Sequence, residues 1–362
     1  MATRTPKGKL RPVLLALVIG AFGSGVFAWA DLPLPWLTGS MIATTAVTFT
    51  HLDVAIPSGL RTVMLAVLGT LLGSTFTTDT LGQAAGWLPT IALLPVYILV
   101  LGTVVWIYLR VVAGFDARTA FFSSTPGGLS EMTLLSDQYG GDMRLTSLVH
   151  GTRILLIVST VPVLVLQFGV ETGTKASEAV HQPVNLDLLL LGATGLVGYG
   201  VGRLMHGTSG ALVGPMVISA LAHMTGFVEG APPFVIVALA QVVIGASIGS
   251  RFAAMPLGQV LAAIAHGLVL TLIMLVLAAL FAAIALTLID RSWLVLILTF
   301  MPGGVAEMGL VALALGTDPA FVSVHHLIRI ALVVTCAPFA FTLYRRFVIP
   351  DEGAETGAET NP

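Results

Sequence analysis

Charge is what this chain has least of. Only 9% of its 362 residues are Asp, Glu, Lys or Arg, against about a quarter in an ordinary soluble domain. There is too little polar surface to cover a water-soluble globule, which excludes a soluble enzyme or adaptor. The single cysteine, Cys336, cannot form an intramolecular disulfide, and one thiol makes no metal site. A net charge of −2, with no basic domain, zinc-finger spacing or helix-turn-helix segment, offers nothing to nucleic acid. HExxH, GxSxG, a P-loop and a Rossmann fingerprint are all missing. The eight histidines form no clustered ligand set with carboxylates. The sequence therefore calls for no metal, no cofactor and no ATP-driven pump, and it is read as not an enzyme.

What is there is apolar. Hydrophobic residues make up 56% of the chain, and its mean hydropathy is +0.98. Runs long enough to span a bilayer, about 20 apolar residues each, follow one another almost end to end. Hydrophobic segments fall at 12–30, 36–52, 60–76, 87–112, 118–136 and 145–168, then at 187–205, 209–225, 232–250, 258–288, 292–315 and 321–344. The reading is an all-α polytopic membrane protein embedded in the lipid bilayer. Residues 1–10 are a basic cytoplasmic tail, 11–169 a first membrane repeat, 170–186 a polar linker, 187–347 a second repeat, and 348–362 a disordered acidic tail. The N-terminus resembles a signal peptide, but its apolar run is long for an h-region, so it is read as a retained first span.

An internal repeat organises the chain. TPGGLSEM at 125–132 returns as MPGGVAEM at 301–308. WLTGSM (36–41) matches ALVGPM (211–216), and GTLLGSTF (69–76) matches GASIGSRF (245–252). Gly140, Asp142, His150, Arg153 and Pro162 match Gly316, Asp318, His326, Arg329 and Pro338 at one offset of 176. Such register in Gly, Pro and charged residues marks a duplication.

An odd number of crossings per half inverts the second copy relative to the first. If each octet segment is re-entrant, each half crosses five times. With the N-terminus inside, Arg61, Arg110, Arg118, Arg144, Arg203, Arg251, Arg345 and Arg346 then fall inside, and only Lys175 and Arg291 outside. That agrees better with the inside bias of basic residues than twelve crossings do, and it leaves both termini cytoplasmic.

Each PGG should break its helix, because proline removes a hydrogen bond and clashes with the preceding turn. Broken backbone at membrane depth survives only where protein buries it or water reaches it. Paired breaks, one per repeat, point to a transporter's substrate site. The candidate site is therefore Thr125, Pro126, Gly127, Gly128 and Ser130 with Glu131, and Pro302, Gly303 and Gly304 with Glu307. Either glutamate could carry a coupling proton or bind a cation. Equally, each sits where a carboxylate caps the helix that follows. His150 and Arg153, like His326 and Arg329, share a helix face. The arginines could pair with the octet glutamates, snorkel, or bind an anionic substrate. Asp142 and Asp318 read as caps of the last helix in each half. Gly69-x3-Gly73 and Gly245-x3-Gly249 have the spacing of close helix packing.

The paired octets, the P-W-L-x-G-x-M segment and the H-x2-R helices resemble the AbrB membrane protein family over nearly the whole chain. Labels of ammonia monooxygenase and regulator have been attached to that family. The resemblance implies a multi-pass bacterial inner-membrane protein with duplicated halves. The broken helices also look like those of cation/proton antiporters and bile-acid-symporter-type folds, in architecture only. The expected function is a secondary transporter of a small solute, anionic or amino-acid-like by mild preference, coupled to H⁺ or Na⁺. The alternative is a non-transporting membrane regulator or scaffold. A homodimer is compatible with either. Thr125 and Ser130 become Met301 and Ala306 in the second copy, so the site is expected to be asymmetric.

Overall fold

In a computed structural model, residues 10–50, 52–167, 185–205, 209–253 and 257–348 are described. Both expected tails, apart from Leu10 and Val348, lie outside them, as does the linker up to residue 184. The described residues are helical with short connections. The first half holds α1 (Leu10–Trp29), α2 (Pro35–Thr48), α3 (Ser58–Gly73), the short α4 (Thr78–Gln83), α5 (Leu88–Ile107), α6 (Ala117–Ser124), α7 (Leu129–Gln138) and α8 (Met143–Gln167). The second holds α9 (Asn185–Leu204), α10 (Gly210–Met224), α11 (Phe234–Gly249), α12 (Leu257–Leu286), α13 (Trp293–Phe300), α14 (Val305–Ala314) and α15 (Pro319–Val348). The last residues of the expected linker thus already form the first turn of α9.

Among the described residues, five stretches are long and apolar enough to cross a membrane: Leu10–Trp29, Ala84–Val112, Phe234–Phe252, Leu261–Leu286 and Pro319–Val348. The exterior agrees with them. Phe22, Leu99 and Phe339 are each at least 70% exposed, and large apolar side chains in such numbers on the outside suit a membrane protein. Charge is instead found inside: Arg153 and Arg329 are buried.

Both octets break their helices. α6 and α7 are separated by 125–128, and α13 and α14 by 301–304. Neither pair continues straight on. The backbone N–H of Asp142, just past α7, donates to Thr119 Oγ1 near the start of α6 at 2.7 Å. Arg291, just before α13, reaches Asp318, just past α14, at 3.1 Å. Each pair is therefore a hairpin whose two open ends lie together. Gly140 (φ 76°) and Gly316 (φ 60°) make the left-handed turns that leave α7 and α14.

The hairpins enter from opposite ends of the molecule. At one end, Trp106 near the end of α5 donates to Tyr344 near the end of α15, and Tyr344 donates to Ala117 O at the start of α6. At the other end, Trp87 before α5 packs edge-on against Phe321 in α15, and Arg291 reaches Gln83 Oε1. The first hairpin opens at the former end and the second at the latter.

A crossing of α2, α3, α10 and α11 joins the halves. A side chain at Gly69 in α3 would run into the backbone of Leu212 and Met216 in α10. One at Gly245 in α11 would run into the backbone of Leu37 and Met41 in α2. These contacts are the same pair of matched positions with the halves exchanged. Ser40 donates to Val242 O and Ser219 to Thr70 O, so the crossing also carries hydrogen bonds between halves. Small residues let the backbones approach this closely.

Candidate functional site

The two breaks have nearly the same construction. Gly128 (φ −64°, ψ 139°) caps α7 and Gly304 (φ −78°, ψ 160°) caps α14, both extended and both open to any residue by backbone angle. Glycine there leaves room for the side chain that folds back over it. The carboxylates of Glu131 and Glu307 fold back so that a Cβ on Gly128 or Gly304 would collide with them. The methionine that ends each octet does the same to the first glycine: Met132 lies over Gly127 and Met308 over Gly303. Each conserved spacing within the repeated octet thus corresponds to one contact. Both glutamates sit in the first turn of their helix, where a negative charge meets the N-terminal end of the dipole. Both are half-buried, as are Thr125, Gly128, Ser130 and Gly304.

The freed carbonyls are gripped by the last long helix of each half. In the second half the grip is tight, although Arg329 Nε has no hydrogen-bond partner. Arg329 donates from Nη1 to Met301 O (2.8 Å) and from Nη2 to Gly303 O (2.6 Å). His326 Nε2 also reaches Met301 O at 3.0 Å, while its Nδ1 reaches Val322 O. Tyr97 in α5 donates to Phe300 O. In the first half the grip is loose. Arg153 Nη2 reaches Gly127 O at 3.4 Å, and its Nε and Nη1 have no hydrogen-bond partner. His150 Nε2 meets Phe122 O at 3.0 Å, nearer the start of α6 than its counterpart would be, and its Nδ1 has no partner. What the two arginines hold is therefore backbone, rather than the octet carboxylates.

The glutamates also differ. Glu131 Oε1 accepts from the backbone N–H of Ser209 (3.0 Å) and from its hydroxyl (2.7 Å), at the start of α10. Glu307 lies in the electrostatic reach of Arg61, Arg251 and Arg153. Arg153 in turn feels Arg329 and Tyr97, so the buried cations of the two halves and the second glutamate share one region. Asp142 Oδ1 accepts from the N–H groups of Arg144 and Leu145, and Asp318 Oδ1 from that of Phe321. Both aspartates cap the helix that follows.

Two participants escaped the sequence reading. Ser209 matches Leu34 in the other half, so a search for repeated residues passes over it. Tyr97 stands in an apolar run, and its only signal was a hydroxyl at membrane depth. Among the described residues, no three His, Cys, Asp or Glu side chains converge as a metal site would require.

Residues 36–345 match the family described as "Transition state regulatory protein AbrB". The chain is 26% identical over 338 residues to "Putative regulator AbrB" of Escherichia coli (strain K12), covering 91% of this chain and 94% of that protein. It is 28% identical over 257 residues to "Uncharacterized protein YhjN" of Bacillus subtilis (strain 168), covering 66% of this chain and 65% of that one. Octets, clamp helices and central crossing all fall within the matched span, and the chain belongs to the AbrB family.

Proposed function

We propose that this chain is a secondary transporter of a small solute, driven by H⁺ or Na⁺ and placed in the bacterial inner membrane with both termini in the cytoplasm. Its halves act as inverted repeats of five crossings and one re-entrant hairpin each. The supporting observation is that the two hairpins enter from opposite ends and that the second break lies at mid-height. Tyr97, which meets the second break, lies near the middle of α5, a helix about 30 Å long.

Helix direction supports the inversion. Along α3, Gly69 meets Leu212 and Gly73 meets Met216 and Ala220, so α3 and α10 run the same way. By the same test α2 and α11 run the same way. Arg61 at the start of α3 and Arg251 just past α11 act on each other, so α3 runs against α11, and hence against α2. The matched helices α2 and α10 therefore point in opposite directions, as inverted repeats require.

Glu131 is the coupling residue of this reading, because it is ionisable, half-buried and beside the break. The test is solute flux into proteoliposomes under an imposed proton or sodium gradient. Glu131→Gln should abolish gradient-driven uptake while the protein still purifies folded. Unchanged uptake would leave Glu131 as a helix cap only. The name of the Escherichia coli relative favours a regulator. That reading gains if no solute moves under either gradient.

A further inference from the structure

The two clamps carry the same residues but are not equally filled. In the second, the guanidinium of Arg329 holds two oxygens, Met301 O and Gly303 O. Two oxygens on one guanidinium is the arrangement of a bidentate carboxylate. In the first, Arg153 holds one oxygen weakly, although it is 3% exposed and two of its nitrogens have no partner. Leaving charged donors unpaired at that depth is costly.

The surroundings differ in the same sense. Thr125 and Ser130 are half-buried hydroxyls two residues before and three after Gly127, whose carbonyl the loose clamp holds. Their counterparts Met301 and Ala306 are apolar and 1% and 2% exposed. The second clamp is sealed by its own backbone. The first is polar, partly open along the start of α7, and short of acceptors.

We propose that the first hairpin binds the carboxylate group of the solute, with Arg153 as its counter-charge and Ser130 beside it. The second hairpin is the closed structural copy and binds no solute. This rests on the transporter reading and assigns its substrate class. The helix N-terminus is not the anion site, because Glu131 already occupies it. The solute's two oxygens take the end-on pair of the guanidinium: Nη1, which has no partner, and Nη2, which holds only Gly127 O at 3.4 Å.

The test is binding to the full chain in nanodiscs, by thermal shift and calorimetry. Acetate, lactate and succinate are the probes, with ethylammonium and glucose as controls. The expected result is that at least one carboxylate binds and both controls do not. Arg153→Gln should abolish that binding, and Arg153→Lys or Ser130→Ala should weaken it by roughly tenfold, as loss of a bidentate or hydroxyl contact does. The two milder variants decide the matter if Arg153→Gln does not fold. Binding unaffected by these substitutions, binding of ethylammonium instead, or no binding of any carboxylate would overturn the proposal. Flux separates it from the reading beneath it. Carboxylate binding at Arg153 with no flux of any solute removes the transporter and leaves the site. Flux of a cationic or neutral solute, indifferent to Arg153, removes the site and leaves the transporter.

Discussion

Arg153 and Arg329 occupy matched positions and should not behave alike. Arg329 makes two short bonds to backbone carbonyls at the break, each worth about 1.5–3 kcal/mol for a charged donor. Arg329→Gln should therefore lower stability by about 3 kcal/mol or more, read as a lower thermal unfolding midpoint in detergent. Arg153→Gln gives up one long bond and removes two unpaired nitrogens. It should cost much less stability, and a loss equal to that of Arg329→Gln would mean the first clamp closes in the membrane. Tyr97→Phe keeps the ring contacts with Phe281 and Phe300 and removes only the bond to Phe300 O. About 1 kcal/mol is the expected cost, again by thermal unfolding.

At the scale of elements, the hairpins and the central crossing each make a direct demand. Thr119 and Gly141 are neighbours because α6 and α7 fold back on each other. A continuous helix would separate these positions by about 33 Å at 1.5 Å per residue. With Cys336 replaced by serine, the pair Thr119→Cys and Gly141→Cys should form a disulfide on mild oxidation, read as protection from maleimide. Failure to cross-link, with both thiols reactive, would speak for a straight broken helix. In the crossing, Gly69→Val and Gly245→Val should each cost about 2 kcal/mol or more, because the new side chain meets backbone that cannot rotate away. The two losses should be similar, since the contacts are matched. A mild effect at one site alone would mean that the halves do not depend on each other there.

The whole molecule makes its demand through sidedness. The proposed inversion requires the 170–186 linker on one face and the C-terminus on the other. Single cysteines at Ser177 and Thr356, again without Cys336, test this in intact cells with an impermeant maleimide. Labelling at Ser177 and protection at Thr356 is the expected outcome. Protection at both would mean an even number of crossings per half and parallel repeats, and the opposed hairpins would then need another explanation.

The apolar spans, the recurring octet and the two helix breaks were legible in the sequence for a simple reason. Apolar length, repeat register and the behaviour of Pro-Gly-Gly are local properties of the chain. The glycine pairs of the crossing were legible too, because small residues four apart have few other uses in a membrane helix. The partners of the charged groups were not. Which oxygen Arg329 holds depends on how far α15 lies from a break 26 residues away, and no spacing rule encodes that distance. The same holds for Ser209 on Glu131, 78 residues apart and from different halves. Whether each octet crossed or turned back also needed tertiary contacts, since SWLVLILTF is apolar enough to cross by itself. Composition decided how much of the chain is apolar enough for lipid, and motif spacing decided where the octet recurs. Only the packing of those copies decided that one clamp closes on its own backbone while the other keeps unpaired donors, because that balance is set by sub-ångström differences in how matched helices meet.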